Sequence, residues 1–183
     1  MLTQIEQALQ SYQRSQHPMR EVSRKAAVAI MLSEQAGDTS VLMIRRAERK
    51  GDPWSGHMAF PGGMVDPTDD HSFAAAVRET EEEIGFVLSE QDRVIGRLSD
   101  IRARRAQTHE DKGLVVCPYV LRVDRTIDPN PNHEVAEVVW VPLKFIRDLS
   151  NRRQMPAELL DMPRHIPCYR YGDRIIWGMS LAM

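Results

Sequence analysis

A layered α/β fold built on a mixed sheet is what this 183-residue sequence predicts, and three features carry the prediction. Short apolar runs recur along the chain, several segments show helical periodicity, and glycine, proline and charged stretches punctuate the intervals. Residues 26–32 and 41–44 are apolar and flank the turn-rich 33–40, so they read as the two strands of a hairpin. The charged segment 45–56 leads into 58–60 and the tight turn Pro61-Gly62-Gly63, after which a helical pattern covers 72–84. A strand, a loop and a helix follow in that order. Farther on, 94–98 and 114–123 read as strands around a charged loop, 102–113, of a length that is often functional. Residues 135–141 form a further strand up to Pro142, which marks the first turn of a helix over 143–149. Residues 152–167 contain three prolines and read as irregular, and a last short strand at 174–177 precedes Gly178 and a helical remnant ending at Met183.

Ahead of this body, Leu2, Ile5, Ala8, Leu9 and Tyr12 repeat at helical spacing, which predicts an amphipathic helix over 2–13 laid on the domain or on a partner. The polar residues 14–24 then act as a linker. The size suits one domain, and a hydrophobic content of 42% is enough for a real core. A net charge of −2 gives no global basic field, so nucleic acid is not an expected partner. Cys117 and Cys168 have neither metal-ligand spacing nor a paired framework, which fits a reducing compartment and two buried small hydrophobes. No apolar run reaches eighteen residues, and the first residues lack the order of a secretory signal. The expectation is a soluble cytoplasmic protein without membrane attachment.

The chemistry concentrates between Phe60 and Phe86. With 72–84 helical, Phe73, Val77, Thr80 and Ile84 fall on one mostly apolar stripe, and Glu79, Glu82 and Glu83 are expected to face the other way. Three carboxylates at i, i+3 and i+4 repel one another unless a cation lies among them, and hard oxygen ligands suit Mg²⁺ or Mn²⁺. Arg78 can brace Glu82 at i+4, Gly62-Gly63 lets backbone approach a phosphate or metal, and Gly85 can end the helix in the left-handed conformation.

Gly63, Arg78, Glu79, Glu82, Glu83, Gly85 and Phe86 together resemble the Nudix box. Fourteen residues separate Gly63 from Arg78 where the general box has thirteen, Asp70 stands where a Glu is usual, and Thr80 replaces an apolar residue. One methylene shorter than Glu, Asp70 reaches a metal through water, braces Arg78 or caps the helix. Thr80 can bond back to the preceding turn and reads as structural. The resemblance implies a Nudix-type α/β/α sandwich, with residues 1–24 as N-terminal helix and linker and 25–183 as the Nudix hydrolase domain. It also implies Glu79, Glu82, Glu83 and the Gly63 carbonyl as metal ligands, with Arg78 completing the catalytic set. Asp52-Pro53-Trp54-Ser55-Gly56-His57 ahead of Phe60-Pro61-Gly62-Gly63, and the closing Ile176-Trp177-Gly178, are similar to the coenzyme A pyrophosphatase-like branch. The Ser55-Gly56-His57 order departs from that branch's usual His-x-Gly.

Arg45, Arg46 and Arg49 form a basic cluster in sequence suited to nucleotide phosphates, and His57 is placed to meet phosphate at the mouth of the site. A solvated loop and a structural histidine are the competing readings. Trp54 can stack on a purine, whereas Trp140 and Trp177 sit in apolar strand contexts and read as core. A carboxylate must accept the proton of the attacking water, and the candidates outside the box are Glu110, Glu134 and Glu137. His109, next to Glu110, reads as solvated. The leading expectation is a Mg²⁺- or Mn²⁺-dependent pyrophosphohydrolase that splits coenzyme A into 3′,5′-ADP and 4′-phosphopantetheine. Alternatives are a hydrolase of ADP-ribose, other nucleoside diphosphate derivatives or nucleoside triphosphates, and a binding or regulatory module without turnover. A small nucleotide is the expected partner, and oligomeric state, a homodimer included, stays open.

Overall fold

In the computed structural model, residues 1–18, 20–21, 23–51, 54–103, 113–155 and 165–183 are described. Helix α1 (Leu2–Ser11) is followed by the long strands β1 (Arg24–Gln35) and β2 (Asp38–Arg46), joined by a tight hairpin. Then come β3 (Met58–Ala59), β4 (Gly62–Met64), helix α2 (Ser72–Ile84), β5 (Arg93–Arg97), β6 (Ile101–Ala103), β7 (Leu114–Arg122) and β8 (Val135–Pro142). Helix α3 (Leu143–Arg147) starts at Pro142 as its sequence predicts, and β9 (Arg152–Met155), β10 (Ile166–Tyr171), β11 (Arg174–Trp177) and α4 (Gly178–Ala182) complete the chain.

β1 organises the main sheet. On one side it pairs parallel with β7, from Arg24 opposite Leu114 to Leu32 opposite Arg122. Along its other side it pairs antiparallel with β4 at residues 26–28 and with β2 at 32–35. β8 extends the sheet beyond β2, and β5 and β6 extend it beyond β7. Both directions therefore occur in one sheet, as predicted. Its central strands are buried on both faces, so they read as continuous apolar runs instead of alternating ones.

The alternation of side chains sorts two cores. Ala29, Met31, Leu42, Ile44 and Leu121 point toward α2, where Ile84 and Phe86 join them, and Ala27 and Cys117 meet Ala75 and Ala76. Ile30, Leu32, Val41, Met43 and Val120 point the other way and are covered by α1, α3, Ile176 and the C-terminal residues. The product is a sandwich of helix, sheet and helix. α1 ends two residues earlier than its periodicity predicts, and it lies on the sheet with Leu2 buried and Glu6 paired to Arg93 and Arg122.

The sequence reading misses a second sheet, β11-β10-β9. Residues 152–155 and 166–171 look irregular because Arg152, Arg153 and Gln154 give an exposed edge, and Pro167 falls inside β10, where proline argues against a paired strand.

Candidate active site

α2 begins at His71, whose Nδ1 accepts from the Ala74 N–H at 3.0 Å, and ends at Gly85 with φ 67°. Capping thus falls to His71 and not to Asp70. The buried face of the helix is Ser72, Ala75, Ala76, Thr80, Glu83 and Ile84, rotated from the stripe predicted through Phe73 and Val77. Two alanines in succession let the helix lie close over Ala27 and Cys117, a contact that a scale of side-chain size undervalues. Thr80 donates to the Ala76 carbonyl at 2.6 Å, the structural role its position suggests.

That rotation corrects the expectation that all three glutamates turn outward. Glu83 is 5% exposed, while the side chain of Glu82 is 55% exposed, and Glu79 lies between them in burial. Glu83 accepts from the Gly62 N–H at 2.9 Å. Glu79 lies against Gly63, where any Cβ would stand 2.4 Å from its carboxyl carbon. The two glycines thus receive one carboxylate each, Glu83 buried and Glu79 partly so. Gly62 has φ 143° and its missing side chain would strike the Ala27 carbonyl oxygen at 2.2 Å, because β4 presses directly on β1. A Gly-Gly sequence is required there for two separate reasons.

Arg78 holds the outer carboxylates together. Its Nε and Nη2 donate to Asp69 at 3.1 and 3.0 Å, Nη2 also to the Met64 carbonyl at 3.1 Å, and Nη1 to Glu79 at 3.0 Å and Glu82 at 3.3 Å. Asp69, six residues after Gly63, takes the position at which counting back from Arg78 suggests Asp70. Asp70 is exposed and makes none of these bonds. The extra residue of this box therefore lies between Asp69 and Arg78. The Arg78 fork holds Asp69 below the usual carboxylate range, and Asp69, then Glu79 and Glu82, raise the pKa of Arg78 itself.

Burial acts in the opposite sense on the inner pair. It pushes Glu83 up to about 7, against the Gly62 N–H and the positive charge of Arg46, with the Glu79 charge adding to the rise. Glu79 is also raised, first by burial and against the pull of Arg78. Among the described residues no three His, Cys, Asp or Glu side chains already enclose an ion. The chemistry of the donors still fits a hard divalent cation: Glu79, Glu82 and Glu83 offer carboxylate oxygens, and a nearby positive charge would reverse the penalty on Glu83.

The arginine cluster of the sequence divides in space. Arg46, whose charge is felt at Glu83, belongs to the α2 side of the sheet, while Arg45 pairs on the opposite side with Asp173 at 2.9 Å. β8 skips a residue between the partners of Arg45 and Arg46, Glu137 and Val135, a bulge of the kind found beside active sites. Arg49 donates to Glu134 at 3.0 Å. Glu134 enters a loop whose Asn130 and Asn132 N–H groups bond to the Ile84 and Glu83 carbonyls, and its charge reaches both Glu79 and Glu83. Glu137 is instead engaged by Arg174 through two hydrogen bonds, one of 2.8 Å, on the side of Arg45. Glu110 and His109 lie outside the described residues. His57 packs edge-on against Trp177 with ring centroids 5.0 Å apart, and Trp177 and Cys168 are buried as predicted, with Trp140 partly so. Asp69 and Asp173 were not anticipated as partners of Arg78 and Arg45; only for Asp69 was there a sequence signal, its spacing from Gly63.

The carboxylate-bearing helix, the glycine turn above it and the mixed sheet fall within the span of one domain family. The model of the NUDIX domain matches residues 23–160, and the chain belongs to the Nudix family, as a hydrolase of the pyrophosphatase class. It is 29% identical over 163 residues to the uncharacterized Nudix hydrolase NudL of Photorhabdus laumondii, spanning 88% of this chain and 81% of that one. With the mitochondrial Nudix hydrolase 15 of Arabidopsis thaliana it shares 32% identity over 177 residues, 92% of this chain and 59% of that longer protein. The fold is similar to the NUDIX domain of Shewanella oneidensis NrtR complexed with ADP ribose, with a TM-score of 0.52, 18% identity and 86% of each chain covered. Among the described residues no helix is long and apolar enough to cross a membrane.

Proposed function

We propose that the chain is a Mg²⁺- or Mn²⁺-dependent pyrophosphohydrolase of nucleoside diphosphates linked to a second moiety, with coenzyme A, cleaved to 3′,5′-ADP and 4′-phosphopantetheine, as the leading substrate. The observation that carries the chemistry is the seating of Glu83 and Glu79 against the backbone of Gly62 and Gly63. Glu79, Glu82, Glu83 and the Gly63 carbonyl would hold the metal, which when bound neutralises phosphate charge and lowers the pKa of a coordinated water.

The protein's own groups do the positioning. Arg78 fixes Glu79 and Glu82 from one side and is itself fixed by Asp69. The Gly62 N–H holds one oxygen of Glu83 in place. In hydrolysis the water oxygen joins one phosphorus as the bridging P–O bond breaks, and the proton released goes to a carboxylate. Of the described candidates Glu134 is favoured as that base, because its charge acts on Glu79 and Glu83 and its pair with Arg49 is solvent-exposed, while Glu137 pairs with Arg174 on the side of Arg45. The coenzyme A reading rests on the residues from Asp52 to Gly63. ADP-ribose is the second reading, supported by the ADP ribose complex of the similarly folded NrtR domain.

A comparison of kcat/KM for coenzyme A, ADP-ribose, dinucleoside polyphosphates and nucleoside triphosphates, with each metal and with neither, tests this. Coenzyme A is expected to exceed ADP-ribose by about tenfold, or about 1.4 kcal/mol. A better rate on another substrate overturns the coenzyme A reading, and no metal-dependent turnover on any of them favours a binding module.

A further inference from the structure

Three aromatic rings meet beside the end of β2, five residues ahead of the glycine turn at their nearest, and have no part in the chemistry above. Ring centroids are 6.0 Å apart for Trp54 and His57, 6.0 Å for Trp54 and Trp177, and 5.0 Å for His57 and Trp177. His57 meets both indoles edge-on, at 70° and 83°, the geometry in which a positive ring edge faces a π cloud. Trp177 is 9% exposed, whereas Trp54 is 45% exposed. The trio thus has a covered base and one aromatic surface offered to solvent.

Backbone hydrogen bonds tie this surface to Arg46. The Gly56 N–H donates to the Arg46 carbonyl at 3.1 Å, and the Arg46 N–H to the His57 carbonyl at 3.0 Å. Arg46 is the residue whose positive charge acts on Glu83. On the other side Arg45 pairs in register with Met58, the neighbour of His57. Its guanidinium is engaged by Asp173 in an ion pair whose side chains are 30% and 68% exposed, a pairing that contributes little in water and exchanges readily. Asp173 also lies 3.6 Å from Arg174, so one carboxylate stands between two guanidinium groups. A phosphate would suit that position at least as well.

Resting on the reading that the substrate is a nucleotide joined through a phosphoric anhydride, we propose that Trp54 is the shelf on which the purine base stacks. Asp173 occupies, in the absence of substrate, the place beside Arg45 that a further phosphate of the same nucleotide takes. The pantetheine arm of coenzyme A has no π face, so the shelf belongs to the adenine half.

The test is equilibrium binding to the full chain, with Trp140→Phe as background, followed by tryptophan fluorescence and calorimetry. The probes are 3′,5′-ADP, 5′-AMP and inorganic pyrophosphate. Trp54→Ala should weaken both adenine nucleotides about tenfold, within the range of single-base stacking, and leave pyrophosphate unchanged. Trp54→Phe should recover most of the loss. Asp173→Asn should tighten 3′,5′-ADP severalfold and 5′-AMP less. Unchanged nucleotide affinity in Trp54→Ala overturns the shelf, and so does an equal loss for pyrophosphate. An Asp173→Asn variant that shifts both nucleotides equally, or neither, overturns the exchange at Arg45. If coenzyme A is not hydrolysed while 5′-AMP binding still depends on Trp54, the substrate reading fails and the shelf stands.

Discussion

Adding one methyl group at Gly63 separates chemistry from folding. A Cβ there would stand 2.4 Å from Cδ of Glu79 and 2.5 and 2.6 Å from its oxygens, where ordinary contact starts at 3.4 Å. The carboxylate must therefore retreat by roughly 1 Å. It can do so, being the far end of a flexible side chain, and Gly63 is not among the glycines with positive φ. Retreat loosens the partly exposed pair with Arg78, about 1 kcal/mol, and forces an off-rotamer torsion of about 1 kcal/mol. At about 2–4 °C per kcal/mol for a chain of this size, the metal-free Gly63→Ala protein should melt less than about 10 °C below wild type. A ligand misplaced by about 1 Å should lower kcat/KM on the order of 10²-fold and weaken Mn²⁺ binding comparably. Thermal melting without metal, Mn²⁺ calorimetry and steady-state kinetics measure the three quantities. Gly62→Ala should do the reverse and lose the fold, because its Cβ would meet backbone, the Ala27 oxygen at 2.2 Å and the Val28 Cα at 2.6 Å. Wild-type kinetics and Mn²⁺ affinity in Gly63→Ala would refute the argument that contact with this backbone places a metal ligand.

Three further outcomes are expected. Asp69→Ala should reduce kcat/KM about tenfold through loss of the Arg78 fork, while Asp70→Ala stays within about 0.5 kcal/mol of wild type in stability and near wild type in rate; the reverse pattern would contradict the register of the box. Burial raises Glu83 from 4.5 to about 7, so its contribution to metal-free stability is full below pH 4.5 and is lost as pH rises through 7. Between pH 4 and 8 the stability of wild type relative to Glu83→Gln should fall by up to roughly 3 kcal/mol in denaturant unfolding, and a constant difference would count against a buried, uncompensated carboxylate. Asp100 behaves oppositely: burial alone would raise it, but the Arg20 hydrogen bonds, the His17 N–H and Arg97 more than compensate and hold it below 3.8. Asp100→Asn should cost about 3 kcal/mol at neutral pH, because it leaves two largely covered arginines, each 13% exposed, without their carboxylate, and that gap should close as pH falls through the depressed value; a gap unchanged by acid would refute the assignment.

Sequence carried the glutamate-bearing helix and the mixed sheet because both are written locally. Gly62, Gly63, Arg78 and the glutamates lie within one short stretch, and the long strands are apolar throughout. What it did not carry were choices made by tertiary contact. Which way α2 turns depends on how closely Ala75 and Ala76 can approach Ala27 and Cys117, so Glu83 became buried where a count of apolar residues turns it outward. The brace on Arg78 passed to Asp69 because the inserted residue could be absorbed on either side of a carboxylate, and only geometry decides. Arg45 and Arg46 look like one patch in sequence, yet the period of a strand sends them to opposite faces. Asp173 reaches Arg45 across 128 positions, and no local pattern encodes that.

The parallel pairing of β1 with β7 also governs when the site can exist. Arg24 faces Leu114 across 90 intervening sequence steps, and Cys117, part of the seat for Ala75 and Ala76, arrives only with β7. The hairpin of β1 and β2 closes locally and early, but a loop as long as the one ending at β7 must close before α2 has its floor. During synthesis the glycine turn and all three glutamates emerge well before that strand. They remain a disjoint set of charges until it docks. Docking of α2 is thereby tied to the slowest kind of contact in the molecule, and a chain interrupted before Leu114 would contain every predicted ligand and still lack the candidate site.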